Sequence, residues 1–143
     1  MGGGRDINSH EFAVANGCNV QVTPMHQDDG EVQALIDKFN AACAKYADQP
    51  RPKRLVLRHT YVARDEADAM QAARELSVFF SQFAAWFKNR TPISTGLSQT
   101  IPPEEIAANA TYAPEAMHAN HIIGEPAEVI GRIKRYEAMG DDE

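Results

Sequence analysis

Residues 55–63 read LVLRHTYVA and lead through Asp65 into a long stretch with an apolar side at 66–89. The β-branched and aromatic residues of 55–63 predict a strand, and its continuously apolar start is typical of a parallel strand covered on both faces. Because Asp65 is a favourable N-cap residue, the stretch after it is predicted to be a helix. Its predicted apolar side comprises Ala67, Met70, Ala73, Val78, Phe79, Phe80, Phe83, Trp86 and Phe87.

The same strand-and-helix unit occurs earlier in the chain. Residues 19–24 read NVQVTP and predict a short strand ended by proline. Asp28 or Asp29 then caps a predicted helix at 30–47, because apolar residues recur there at steps of three and four. Those positions are Val32, Leu35, Ile36, Phe39, Ala42, Cys43 and Tyr46.

A shorter helix is predicted ahead of the first strand. Asn8 and Glu11 have the spacing of a capping box, in which two side chains cap the first turn of a helix. The helix is expected to end at Gly17, since glycine commonly follows the last helical turn.

The carboxyl-terminal third is less regular. Residues 90–124 are rich in turn formers, with short helices predicted only near 103–108 and 113–118. Such an excursion is interpreted as a lid over a site, a packing excursion or disorder. A last helix is predicted from Pro126 to Tyr136, with Gly140 as its stop.

The order of elements is helix, strand, helix, strand, helix, helix. Strands separated by whole helices indicate parallel pairing and an α/β architecture. Two strands do not make a stable parallel sheet alone, so the chain is predicted to be a piece of something larger or an obligate oligomer.

Composition restricts the classes of function. The formal charge is −6, which argues against a nucleic-acid partner because phosphate binding needs a basic face. The densest basic group is interpreted as solvated side chains and ion pairs, with a polyanion site as the alternative; it comprises Arg51, Lys53, Arg54 and Arg58.

No apolar run approaches the length of a membrane span, and no signal-peptide pattern opens the chain. Two cysteines make no disulfide framework, so a cytoplasmic location is expected. Residues 1–4 are interpreted as a tag or a truncated start.

Three motifs resemble the bacterial luciferase-like flavin-dependent monooxygenase family. They are RDINSHEFAVANG at 5–17, RHTYVARDEA at 58–67 and IIGEPAEVI at 122–130. The first resembles a strand-to-helix turn, the second a strand ending in Tyr-Val-Ala, and the third a Gly-x-Pro-x-x-Val signature. The resemblance spans nearly the whole chain and corresponds to the carboxyl-terminal part of the family's length.

The resemblance implies a fold and a function. Residues 5–143 are expected to form the C-terminal half of a (βα)₈ TIM barrel, with two or three parallel strands, flanking helices and the excursion at 90–124. Such a barrel binds reduced flavin, as FMN or a deazaflavin, at the carboxyl ends of its strands and oxidises a small organic substrate with O₂. The chain alone is expected to be inactive and to need the missing barrel segment or a homo-oligomer. The alternative is a non-enzymatic module that oligomerises or binds flavin or phosphate.

The resemblance also implies cofactor-binding residues. Arg5, Asn8 and Ser9 lie at the turn that is near the flavin phosphate in the family, and a helix start with an arginine suits a phosphate. Alternatively, Asn8 or Ser9 is only a helix cap. Thr23, on the expected rim, contacts flavin or substrate, or is only a turn residue before Pro24.

His59 is the candidate catalytic residue, because its pKa lies near neutrality; the alternative is a structural, hydrogen-bonded histidine. Alternation puts Arg58 and Thr60 on one side of the strand and His59 and Tyr61 on the other. No metal site is predicted, since the spacing of His118 and His121 near Glu115 lacks a supporting third ligand.

Overall fold

The computed structural model describes residues 6–88 and 90–140. Contacts divide the chain into two compact units: unit 1 comprises residues 1–59 and 130–143, and unit 2 comprises residues 60–129. A pair of parallel strands lies in each unit. The predicted α/β architecture with short parallel strands is therefore present, and the two units are described separately below.

Unit 1 begins with the order helix, strand, helix, strand. The elements are α1 (Ile7–Ala15), β1 (Val20–Val22), α2 (Asp29–Lys45) and β2 (Arg54–Val56). Strands β1 and β2 are parallel neighbours with Val22 opposite Val56. The last helix, α6 (Pro126–Ala138), belongs to unit 1 from Ile130 onward.

The core of unit 1 lies where the two helices meet one face of β1. Val20 and Val22 are buried and Gln21 between them is exposed, as strand alternation requires. The predicted apolar stripe of α2 is confirmed at Val32, Leu35, Ile36, Phe39 and Ala42, which are all buried. Asp28 is the N-cap of α2, since its side chain accepts a hydrogen bond from the Glu31 amide at 3.2 Å.

Unit 2 contains the second parallel pair and the excursion. Its elements are β3 (Thr60–Val62), α3 (Glu66–Phe87), β4 (Ile93–Ser94), β5 (Leu97–Ser98), α4 (Pro103–Ala107), a 3₁₀ turn (Ala110–Tyr112), α5 (Pro114–Asn120) and β6 (Ile122–Gly124). Strands β3 and β6 are parallel, with Tyr61 opposite Ile123. Ala63, Ala69 and Ile123 form the buried cluster beneath α3.

The predicted strand at 55–63 is wrong in its extent, because the chain forms two short strands. Residues 54–56 pair with β1, whereas residues 60–62 pair with β6. The ladder with β1 ends at Leu57, whose amide donates to the Val22 carbonyl at 2.9 Å. The change of pairing partner interrupts the strand at residues 57–59. The strand β6 was itself missed, because only two residues precede its glycine.

The predicted apolar side of α3 is partly wrong. Val78, Phe79, Trp86 and Phe87 are exposed. The buried positions are instead mostly small: Ala69, Ala73, Ser77, Phe80, Ser81 and Ala85. Because small side chains let helices approach closely, this face accommodates α5, with which α3 is in contact. Helical periodicity therefore predicted the helix correctly. Its inner face, however, is the side that carries mostly small side chains.

The excursion contains more regular structure than the sequence indicated. The short helices predicted near 103–108 and 113–118 are found as α4 and α5. The antiparallel hairpin of β4 and β5 was not predicted. Its turn residues Thr95 and Gly96 have φ angles of 53° and 80°, the left-handed values that a two-residue hairpin turn needs.

The glycine of the third motif is required by close packing at the start of α6. The Glu128 side chain folds back so that Oε2 accepts a hydrogen bond from the Glu125 amide at 3.1 Å. A Cβ on Gly124 would lie 3.0 Å from the Glu128 Cβ and would overlap its carboxylate. Gly124 therefore lets the carboxylate cap this helix, which begins at Pro126 as predicted.

Candidate functional site

The carboxyl ends of β1 and β2 lie at one edge of the unit 1 sheet, because the two strands are parallel neighbours. Thr23 and the loop to α2 leave this edge after β1, and Arg58 and His59 leave it after β2. Helix α1 contacts β1 and joins it through a short loop, so its first turn is directed to the same edge. In parallel α/β sheets, ligands bind at the carboxyl ends of the strands. This edge is therefore the candidate site.

The loop from β1 to α2 has a strained backbone conformation. Met25 has a φ of 59°, a left-handed value that is uncommon for residues other than glycine. Pro24 is buried, and its carbonyl accepts a hydrogen bond from the Gln27 amide at 3.1 Å. The turn at residues 24–27 is thus closed by its own backbone, with Thr23 half-buried at its start.

Arg58 is tied to this loop. Its guanidinium donates hydrogen bonds to the carbonyl oxygens of Met25 at 2.9 Å and Gln27 at 2.6 Å. Its Nε donates to the Tyr136 hydroxyl at 3.0 Å. The charge of Arg58 is thus committed to loop carbonyls, which a guanidinium fork satisfies well.

A second set of contacts joins α6 to the start of α2. The Tyr136 hydroxyl donates to Asp29 Oδ1 at 3.0 Å, and Arg135 donates to Asp29 Oδ2 at 3.1 Å. Tyr136 is buried, and this burial raises the pKa of its phenol. The hydroxyl is consequently a neutral bridge between the guanidinium of Arg58 and the carboxylate of Asp29.

His59, the predicted catalytic candidate, lies just beyond β2 with an exposed side chain. Partial desolvation, and next the charge of Arg58, lower the pKa of its imidazole below the ordinary value. A histidine with a lowered pKa is neutral near pH 7 and has a ring nitrogen that accepts a proton. Tyr61, which the alternation put on the same side as His59, donates to Asp68 of α3 at 3.2 Å, so it faces the helix layer of unit 2.

The start of α1 differs from the sequence-based expectation. Asp6, not Asn8 or Ser9, is the N-cap, and its carboxylate accepts from the Asn8 amide at 3.4 Å. The Asn8 side-chain amide donates to both carboxylate oxygens of Asp6, at 3.2 and 3.1 Å. The capping box of Asn8 and Glu11 is therefore wrong; Glu11 instead forms an ion pair with Lys45 at 2.5 Å. Arg5 lies outside the described residues.

The interpretation of the basic group as solvated side chains is wrong for Arg54 and fits Arg51 and Lys53, which are exposed. Arg54 is fully buried, donates to the Gly140 carbonyl and lies 5.2 Å from the centre of the Phe39 ring. Arg51 lies 4.9 Å from the same ring and donates to Asn40 at 2.9 Å. Stacking on an aromatic ring uses the flat guanidinium faces inside the fold. Arg54 and Arg58 are thus hydrogen-bonded to backbone carbonyl oxygens within unit 1.

His121 of unit 2 is packed in the interior of that unit. His121 is buried, contacts the Met117 carbonyl through Nδ1 at 2.9 Å and lies 5.3 Å from the Phe80 ring. Within residues 6–88 and 90–140, no group of three or more histidine, cysteine, aspartate or glutamate side chains is placed to hold a metal ion. Within those residues no helix is long and apolar enough to cross a membrane.

An open groove of about 300 Å³ lies at the other end of unit 1. Its lining includes Cys43 and Tyr46 at the end of α2 and Pro52 just before β2. The groove is therefore near the amino ends of the strands and does not belong to the candidate edge.

The comparison with known proteins agrees with the α/β fold. The luciferase-like monooxygenase family matches residues 1–143, and the chain belongs to that family. Over 139 residues it is 58% identical to the flavin-dependent trigonelline monooxygenase, oxygenase component, of Acinetobacter baylyi. The match covers 97% of this chain and 39% of that relative, so the chain spans about two fifths of the relative's length. The resemblance of the three motifs to this family is confirmed.

Sequence reasoning missed the tie between Arg58, the Met25 loop, Tyr136 and Asp29. Arg58 was noted as part of a basic group and as one of two residues on a strand face, but its partners lie 31, 33 and 78 residues away in the chain. A usable signal was present in the strand itself: an arginine at the end of a predicted parallel strand needs internal acceptors when it is not at the surface.

Proposed function

We propose that this chain supplies part of the (βα)₈ barrel of a flavin-dependent monooxygenase and that the edge defined by Thr23, Met25 and Arg58 faces the flavin. The family match and the flavin-dependent relative support the class of reaction. The observation that carries the proposal is the exposed apolar strand face that adjoins this edge.

That face is formed mainly by β2 and the residue after it. Leu55 and Leu57 are 36% and 53% exposed, although they lie in or next to a parallel strand. Gln21, opposite Leu55, is also exposed, whereas its neighbours on β1 pack towards the helices. Parallel sheets normally have both faces covered. The open face therefore fits the interior of a barrel whose other strands are supplied outside this chain.

Unit 2 shows the same feature independently. Val62 at the end of β3 is 54% exposed, whereas Ala63 after it is buried beneath α3. One face of this strand pair is covered by α3 and the other leaves an apolar side chain open. This agrees with a strand that has a helix layer outside and a barrel interior on its other side.

The residues at the candidate edge fit the ring of a flavin better than its phosphate. Leu57, Met25 and Thr23 offer apolar contact and a hydroxyl, which suit a planar ring with polar rims. The first described turn of α1 has an acidic cap at Asp6, so it does not by itself form an anion site. Thr23 and Ser9 remain our candidates for cofactor contact, and Arg5 remains a prediction for the phosphate.

Reduced flavin, when bound, supplies the electrons that activate O₂ for insertion into an organic substrate. The chain's own contribution is to orient the ring with the loop after β1 and to exclude water with the apolar face of β2. His59 is neutral near pH 7, because its pKa is lowered, and we propose that it accepts a proton from substrate or bound water at one ring nitrogen.

The first substrate to test is taken from the relative by analogy. At 58% identity to a trigonelline monooxygenase, trigonelline is that substrate. The chain alone is expected to turn over little or nothing, because part of the flavin pocket is then missing.

Titration of FMN with the purified chain tests the proposal. We expect weak quenching of flavin fluorescence, and stronger quenching when the chain is mixed with the part of the Acinetobacter baylyi relative outside the match. The same titration with a deazaflavin decides between the two cofactors. Absence of quenching at millimolar FMN in both preparations contradicts the proposal.

A further inference from the structure

The loop between β1 and α2 is held in a conformation that its sequence does not favour. Met25 has a φ of 59°, yet its Cβ disfavours left-handed backbone. Strained residues of this kind persist only where the surroundings fix them, and they concentrate at binding sites.

Arg58 supplies the restraint. Its Nη1 and Nη2 atoms bond the carbonyl oxygens on both sides of His26, at Met25 and Gln27. Hydrogen bonds with an ionised donor are stronger than neutral ones, and a fork that holds two carbonyl oxygens fixes their relative orientation. One of the two acceptors is the carbonyl oxygen of Met25, the strained residue itself.

The arginine is in turn held from behind. Its Nε bonds the Tyr136 hydroxyl at 3.0 Å, and that hydroxyl bonds Asp29 in the first turn of α2. The guanidinium carbon lies 5.9 Å from the centre of the Tyr136 ring. The side chain of Arg58, just after β2, thus joins the loop to α6. Through the Tyr136 hydroxyl it is also linked to the start of α2.

We propose that Arg58 is a positioning residue, which holds the loop of residues 23–28 in the shape that forms one wall of the flavin-ring site. This inference rests on the proposed function, because it takes the ring to lie at this edge. It adds that the loop is ordered before flavin binds, so that binding does not have to order it.

The test uses two readouts on the full chain. The first is hydrogen exchange of the Gln27 amide, which reports the turn through its bond to the Pro24 carbonyl. The second is the FMN dissociation constant from fluorescence quenching. The variants are Arg58→Gln, Arg58→Lys, and Met25→Gly with and without Arg58→Gln. Arg51→Gln is the matched control, since it removes the same charge from unit 1 away from the loop.

For Arg58→Gln we expect Gln27 exchange to accelerate at least tenfold and FMN affinity to fall at least fivefold. Arg58→Lys keeps the charge but loses the fork, and recovers only part of either readout. Met25→Gly reverses most of the exchange change in Arg58→Gln, because glycine adopts positive φ without strain. Arg51→Gln leaves Gln27 exchange within twofold.

The outcomes separate this inference from the proposed function. If the hydrogen exchange of Gln27 is unchanged in both Arg58 variants, the positioning role is overturned, whatever the FMN affinity of those variants. If the Gln27 amide exchanges faster in the Arg58 variants but their FMN affinity is unchanged, the loop does not contact the flavin. If FMN binds neither to the wild-type chain nor to its mixture with the part of the Acinetobacter baylyi relative outside the match, the proposed function and the wall fail together. The exchange of Gln27 still decides whether Arg58 holds the loop.

Discussion

Arg58 Nε donates a hydrogen bond to the hydroxyl of Tyr136 at 3.0 Å, and these residues are 78 positions apart in the chain. The contact brings the end of β2 and helix α6 together around a buried phenol. The phenol also donates to Asp29, so a cation and an anion are linked through one neutral group. Polar groups in such a setting are costly to leave without partners.

Tyr136→Phe tests this bridge. The ring remains to fill the buried space, but Arg58 and Asp29 each lose a hydrogen bond, so we expect a loss of about 1–3 kcal/mol in the free energy of unfolding. Urea denaturation measures it. Tyr61→Phe is the control, because its hydroxyl bonds Asp68 at the surface and should contribute much less. Equal losses for the two variants would contradict the importance of the Tyr136 bridge.

The titration of His59 gives a second prediction. Its pKa in the folded chain is expected below 6.5, mainly through desolvation and secondly through Arg58. Because the folded pKa is lowered, the neutral form stabilises the fold above pH 6.5, and this contribution is lost as the pH falls through the folded pKa. NMR titration of the imidazole protons measures the pKa of His59. Arg58→Gln should move the pKa up towards 6.5 and Arg58→Lys should not; no difference between them would exclude the charge as a cause.

Phe79 and Phe80 test which face of α3 is internal. Phe80 is 2% exposed and stacks near Tyr112 and His121, whereas Phe79 is 48% exposed. We expect Phe80→Ala to cost about 3–5 kcal/mol in stability and Phe79→Ala much less. Chemical denaturation of both variants decides the matter. A larger loss for Phe79 would contradict the assignment of Phe80 to the inner face of α3.

The cap of α1 can be tested in the same way. Asp6→Ala removes the carboxylate that accepts from the Asn8 amide, and we expect a loss of about 1 kcal/mol. Asn8→Ala leaves that backbone bond in place and should cost less. The reverse order of the two losses in urea unfolding would favour the capping box of Asn8 and Glu11.

Patterns within one element were predicted well from the sequence. The helices at 29–45 and 66–87 were recognised with their caps Asp28 and Asp65, because capping and apolar periodicity are local. The family was also identified from three local motifs. Several of the wrong predictions depended on partners distant in the chain. The interruption at 57–59 follows from a change of strand partner, and the roles of Arg54 and Arg58 follow from acceptors at Gly140 and in the Met25 loop.

The surroundings of the predicted cofactor residues depend on near and distant neighbours alike. Asn8 and Ser9 were correctly placed at a helix start, but the charge of that start depends on Asp6, which the motif included without a role. Thr23 was expected on the rim because it lies at the end of the first predicted strand, whereas the strain at Met25 depends on a guanidinium 33 residues away. Local sequence therefore located the candidate edge, and tertiary contacts determined its chemistry.

The most direct test mixes this chain with the part of the Acinetobacter baylyi relative outside the match. Sedimentation then measures whether the two associate, and titration measures the affinity of the mixture for FMN. We predict a one-to-one complex that binds FMN more tightly than either part and protects the amides around Leu55, Leu57 and Val62 from exchange. A chain that remains alone, with those residues unprotected and no gain in flavin affinity, would contradict the assignment of its open strand faces to a shared barrel.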